Sequence, residues 1–173
     1  MIQWLQSKLV LILAGIILIS SVTAVFHYQL DSMEREELEN RSRKISRVIQ
    51  TMEKTEVDEM RQTITFDETS EGIYLSPQIR GDLYTIEIRT DFVRIERDSE
   101  SIVEGIQANI HLWDPSEMNN SGELDEGESR WRDSQTPPLK IRAGQREIEL
   151  LKLELRVDDS TRSHIFISKG DTI

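Results

Sequence analysis

The sequence predicts an α+β fold in which a long N-terminal helix, with a membrane half and an amphipathic half, packs on an antiparallel β-sheet. Three observations predict it. The run Leu9–Phe26 is apolar and uncharged. Residues 16–71 contain neither Gly nor Pro, the two common helix breakers. Past Thr63 the apolar residues change from helical spacing to alternation, the mark of half-buried strands. The 173 residues carry 32 acidic and 21 basic side chains, a net charge of −11, with three His and no Cys. Such a charge repels nucleic-acid phosphates, so no nucleic-acid partner is expected. Without Cys there are no disulfides, thiolate metal sites or thiol nucleophiles.

In chain order the expected parts are a short tail (1–8), a transmembrane anchor (9–26), an amphipathic stalk helix (27–60) and an antiparallel β domain (61–173) with an acidic loop at 114–138. The anchor, at ~1.5 Å per residue, gives ~27 Å of helix, close to the thickness of a bilayer's hydrocarbon core. Trp4 precedes the run and Phe26 and Tyr28 follow it, where interfacial aromatics belong. Ser20, Ser21 and Thr23 can bond to their own helix carbonyls and so are tolerated in lipid. A cleaved signal peptide, with Lys8 as the basic region and Val22-Thr23-Ala24 as the cleavage site, is the competing reading. For orientation, Arg35, Arg41, Arg43 and Lys44 favour a cytoplasmic domain. A long domain can nevertheless translocate regardless of flanking charge, and the sequons at Asn40 and Asn119 permit an outer location. The reading adopted is a single-pass protein of the cell membrane with its C-terminal domain outside the cytoplasm.

Within the stalk, Leu30, Met33, Leu38, Ile45, Val48, Ile49, Met52 and Val57 recur mostly at spacings of three, four or seven, which places them on one stripe. The stripe either packs against the chain's own sheet, the preferred reading, or forms a helix–helix seam through Leu38, Ile45 and Met52, one heptad apart. Ser42 and Glu56 interrupt that seam.

In the β domain, Tyr84, Ile86 and Ile88 alternate with polar residues, and Val93 and Ile95 follow, giving a hairpin with one apolar face. Ile106, Ala108, Ile110 and Leu112 predict a third strand, and Leu139 and Ile141 lead through Gly144 into Ile148–Val157. The apolar phase slips at Leu150-Leu151, where a β-bulge is expected. Asp158–Ser163 reads as a polar turn before a last strand containing Ile165 and Ile167. Six or so strands, each apolar on one side, need cover, and the helical stripe supplies it.

This order of parts, from the apolar helix Leu9–Phe26 through its amphipathic continuation to an all-β domain, resembles type IV pilin-like proteins, especially archaeal ones. Ser7-Lys8 stands where pilin precursors carry the Gly or Ala of their cleavage site, and no Glu lies between Leu9 and Phe26. The resemblance is therefore to an uncut minor or accessory pilin-like protein, and the archaellum's stator-like accessory proteins look similar too. It implies a structural role, with homo- or hetero-oligomers formed through the N-terminal helix in the membrane or a filament core and the sheet displayed to partners.

The acidic loop, between Trp113 and Trp131, follows neither strand nor helix period. Glu117, Asn119, Ser121, Asp125 and Glu128 fall at ligand positions of an EF-hand-like loop, with Gly122 at the turn, a set that suits a hard cation such as Ca²⁺. A merely solvated acidic loop produces the same match and is the preferred reading. The two tryptophans close this loop onto the sheet or, if exposed, meet a glycan or protein partner.

There is no nucleophile elbow, P-loop, dinucleotide fingerprint or His pair at ligand spacing, and the carboxylates single out no acid–base pair. No enzymatic activity and no obligatory cofactor are expected. The function expected is a non-enzymatic, pilin-like structural subunit of a membrane-associated filament, secretion or motility assembly. The alternative is a monomeric, membrane-anchored extracytoplasmic binding domain using loop 114–138, with or without calcium.

Overall fold

A computed structural model describes the backbone of residues 2–112, 138–157 and 160–172, and the side chains of residues 8–112, 138–155 and 161–170. The chain divides into two compact units, Met1–Glu36 and Glu37–Ile173. The helix α1 runs Ile2–Lys54 and belongs to both.

In the first unit the residues Leu9–Phe26 are helical and exposed. The hydroxyls of Ser21 and Thr23 donate to the carbonyls of Ile17 (2.8 Å) and Ile19 (2.9 Å), so they add no unsatisfied polar group to an apolar surface.

In the second unit the end of α1 packs on sheets built from eleven strands among the described residues. In chain order they are β1 (Glu59–Thr65), β2 (Ile73–Tyr74), β3 (Gln78–Ile79), β4 (Asp82–Leu83), β5 (Thr85–Ile88) and β6 (Phe92–Arg97). Then come β7 (Glu100–Gly105), β8 (Ile110–His111), β9 (Leu139–Arg142), β10 (Arg146–Val157) and β11 (Ser160–Thr172). One sheet has the order β2-β1-β10-β11-β8, a second β7-β6-β5-β9, and β3 pairs with β4 alone. The second is wholly antiparallel, whereas β2 joins β1 and β8 joins β11 in parallel. The fold is thus α+β with mixed sheets, more divided than the single antiparallel sheet expected.

Alternation explains the β5–β6 hairpin. Ile86 and Ile88 sit opposite Ile95 and Val93, and all four are buried. They share one core with Leu38, Ile45, Ile49 and Met52 of α1 and with Ile148, Leu150, Ile165 and Ile167 of the first sheet. Between the sheets' inward faces and α1 the polar contacts are short. Ser46 Oγ donates to the Gly105 carbonyl (3.0 Å) and Ser42 Oγ approaches the Val93 carbonyl (3.4 Å). Arg41 donates to the carbonyls of Ser76 and Gln78 (2.8 Å for the latter), and its guanidinium lies 4.8 Å from the centre of the Tyr84 ring.

Four expectations are corrected here. The helix stops at Lys54 rather than near residue 60, because Glu59–Ile64 find a strand partner in β10, and Glu154 N donates to the Asp58 carbonyl (2.9 Å). That strand carries Thr63, Ile64 and Thr65, β-branched residues that favour an extended backbone once a partner is present. Of the predicted strand Ile106–Leu112 only Ile110–His111 is paired, although Ile106, Ile110 and Leu112 are all buried. No bulge occurs at Leu150-Leu151. The register shift lies between Arg146 and Ile148, and the inward row continues Ile148, Leu150, Lys152. The apparent slip came from reading Lys152 as outward because it is charged. Strand β7 was not expected at all; its outward Ser101 and Val103 and its many polar residues give little alternation.

Candidate membrane and assembly surface

The apolar segment of α1 is long and apolar enough to cross a bilayer, and it is exposed from Leu9 to Phe26. Phe26 and Tyr28 are exposed at its end. The side chain of Trp4, the third interface residue expected, lies outside the described residues.

The expected stripe separates into two sets. Leu38, Ile45, Ile49 and Met52 are fully buried and Val48 packs against them at the margin of the core. Leu30 and Met33 do not belong to that set: they are 36% and 61% exposed. Met33 stands a five-residue step before Leu38, about 140° of turn at ~100° per residue, whereas Leu30 stands only about 80° from Leu38 and is the less exposed of the two. Val57 lies beyond the helix end and is also exposed. The heptad trio Leu38, Ile45 and Met52 is thus spent on the chain's own sheets, and Ser42, which interrupts the heptad, faces Val93 rather than a second helix. Among the described residues of α1, the exposed large apolar side chains are those from Leu9 to Met33.

On the other side of α1, Arg43, Lys44 and Arg47 line an open cleft of about 470 Å³, with Asn40, Thr51 and Gln62 as its other polar groups. Val48 and Ile73 supply its apolar surface. The cleft forms because β2, a two-residue edge strand, leaves the side of the helix next to it uncovered. Lys44 Nζ holds the Tyr74 carbonyl (2.8 Å), Arg43 pairs with Glu39, and Arg47 has no ion pair among the described residues. The cluster is basic on a chain of net charge −11. These cations are plain in the sequence, but the short β2 that borders the cleft leaves no signal there beyond two residues, Ile73 and Tyr74.

Two further polar clusters lie on the sheets. Glu87, only 3% exposed at its side chain, is ringed by Arg89 (2.8 Å), Lys140 (3.4 Å) and Arg94 (3.5 Å). Burial raises its pKa, but the hydrogen bond from Arg89 and the charge and hydrogen bond of Lys140 outweigh that and hold it below the ordinary carboxylate value. His111 of β8 and His164 of β11 meet through Nε2 and Nδ1 at 2.9 Å, and His111 stacks on Phe166 at 5.0 Å. Burial, then the charge of Arg162, lowers the His164 pKa. Among the described residues neither cluster joins a nucleophile to a base. Among the described residues no three His, Asp or Glu side chains converge on a metal position. The calcium candidates Glu117, Asn119, Ser121, Asp125 and Glu128, like Trp113 and Trp131, lie outside the described residues. Searches against protein-family models, curated proteins and solved structures return no match for this chain.

Proposed function

We propose that this protein is a single-pass, membrane-anchored structural subunit, pilin-like and without catalytic activity, whose copies associate through Leu9–Met33 and display the β domain outside the cytoplasm. One observation carries the reading. The apolar surface of α1 is divided between a buried part from Leu38 to Met52, which fastens the helix to its own sheets, and a part from Leu9 to Met33 that is exposed among the described residues. An anchor that only tethered a domain could end at the bilayer edge; here exposed Leu30 and Met33 carry the apolar surface beyond Tyr28. The assembly would be a filament, secretion or motility apparatus.

Because the chain has no Cys, single substitutions report cleanly. In native membranes, a bifunctional maleimide is expected to convert the single variants Val22→Cys and Met33→Cys to cross-linked dimers, while Ile45→Cys, at a buried position, gives none. Monomer alone at every position would overturn assembly and favour the second reading, a lone anchored binding domain, which the basic cleft supports. Labelling of Val103→Cys, an exposed position, with a membrane-impermeant maleimide on intact cells tests the outer location.

A further inference from the structure

The structure assigns the basic cleft beside α1 a specific occupant: the acidic turn Glu36–Glu39 of a second copy of this chain. This rests on the assembly reading above and names the surfaces that would meet.

The turn before the cleft carries Glu36, Glu37 and Glu39, and the cleft itself carries Arg43, Lys44 and Arg47. Acid and base are thus separated by seven residues, which is close to two helical turns and returns to nearly the same face of the helix. Glu36 and Glu37 are exposed; Glu37 reaches Arg41 only at 3.9 Å, and Arg47 is left for an outside carboxylate. Copies inserted in one membrane run parallel. If two such helices met in register, Arg43, Lys44 and Arg47 would face their own counterparts, and like charges at close range repel. Offset by seven residues, a stagger of about 10 Å that the filament core of the proposed assembly allows, the same helices place Glu36 and Glu37 of one copy against Arg43 and Lys44 of the next, with Glu39 one residue from the level of Arg47. Charge pattern therefore selects the offset pairing over the symmetric one. In the offset pairing each copy gives a different surface from the one it receives, an arrangement that does not close on two subunits but continues to a third. The cleft's Asn40, Thr51 and Gln62 are amides and a hydroxyl that can accept or donate around the incoming carboxylates without adding charge.

The test is charge reversal read by oxidative cross-linking of a double variant, Val22→Cys with Gln29→Cys, in full-length protein on intact cells. The offset sets position 22 of one copy level with position 29 of the next, and two thiols per chain let the ladder continue past dimer. Within one helix the two stand about 10 Å apart and cannot pair. Arg43→Glu with Arg47→Glu, or Glu36→Lys with Glu37→Lys, is expected to reduce cross-linked species above dimer by about ten-fold, the effect of two exposed ion pairs of about 0.7 kcal/mol each. Co-expressing the two reversed proteins restores the ladder, because each reversed surface then finds its complement in the other protein. Arg47→Glu alone, at an exposed side chain with no ion pair among the described residues, gives a smaller loss in a variant whose core is untouched. High salt weakens the wild-type ladder and leaves a buried apolar contact unaffected. A wild-type ladder that survives both reversals would overturn this pairing and leave assembly standing. No wild-type ladder at all would overturn both. Loss in each reversed protein without recovery on co-expression would also overturn the pairing.

Discussion

Lys152 occupies an inward position of β10 directly after Leu150, where its stem is packed in the core and its Nζ donates to the Thr55 carbonyl just past the end of α1. The last carbonyls of a helix lack intrahelical donors, and a buried ammonium beside them supplies one and favours the negative end of the helix dipole. Lys152→Met keeps the stem and removes the donor, so it is expected to destabilise the folded protein by about 2 kcal/mol, the value of a hydrogen bond with one charged partner. Urea unfolding of the full-length protein in detergent, followed by circular dichroism, checks it, and Lys152→Ala should cost more because packing is lost as well. Glu87 acts in the pH dependence. Its folded pKa lies below the unfolded value of 4.5, so its contribution is present above that pH and lost as pH falls through the folded pKa. His164 is lowered from 6.5, so the unfolded chain takes up the proton first and stability falls as pH drops below 6.5 towards its folded pKa. Glu87→Gln is therefore expected to cost about 1–3 kcal/mol at pH 7, with the gap from wild type closing below pH 4.5. A gap that is constant across that range would mean the ring of cations does not stabilise the charge.

Among the elements, the β5–β6 hairpin and the apolar half of α1 were legible because each expresses one period without interruption. The stripe of α1 was legible only in part. Spacings of three, four and seven within each set concealed the five-residue step from Met33 to Leu38, and that step turns Met33 away from the packing face. The same distinction yields a stability test. Ile49→Ala, at a fully buried position, is expected to cost 2–5 kcal/mol, about the usual range for such a truncation, whereas Met33→Ala should stay within about 0.5 kcal/mol of wild type and act on cross-linking instead. The end of α1 was misplaced because the helical pattern alone does not reveal that β10 waits to pair with residues 59–64. At β2 the placement rests on Gly72, whose φ of +147° and whose missing Cβ, which would come within 2.6 Å of the Thr63 carbonyl oxygen, let the chain return beside β1. Gly72→Ala should therefore displace β2 and open the cleft that β2 borders. The basic cleft was not legible for this reason: its cations are plain in the sequence, but its wall depends on a two-residue strand and a glycine.

For the whole molecule, the order of parts could be read from the sequence but the partnering of strands could not. β1 pairs with β10, about ninety residues away, and β8 joins β11 in parallel across residues 112–160. Alternation identifies a strand's inward face and says nothing of its neighbour, so a chain with several such strands admits many pairings. What the division of the molecule does predict is separability. The core that unites Leu38, Ile45, Ile49 and Met52 with the sheets lies wholly within Glu37–Ile173, and the apolar segment exposed to solvent or lipid lies in Met1–Glu36. A protein beginning at Glu37 should then fold cooperatively, retain its β-rich circular dichroism and run as a soluble monomer by light scattering. It keeps the basic cleft but lacks Glu36 and the whole apolar segment, so any self-association is expected to be weak and abolished by salt. The full-length chain should instead remain in the membrane fraction through alkaline carbonate extraction. Salt-resistant oligomers of the shortened protein would locate the main self-association surface on the β domain and remove the reason for assigning it to Leu9–Met33.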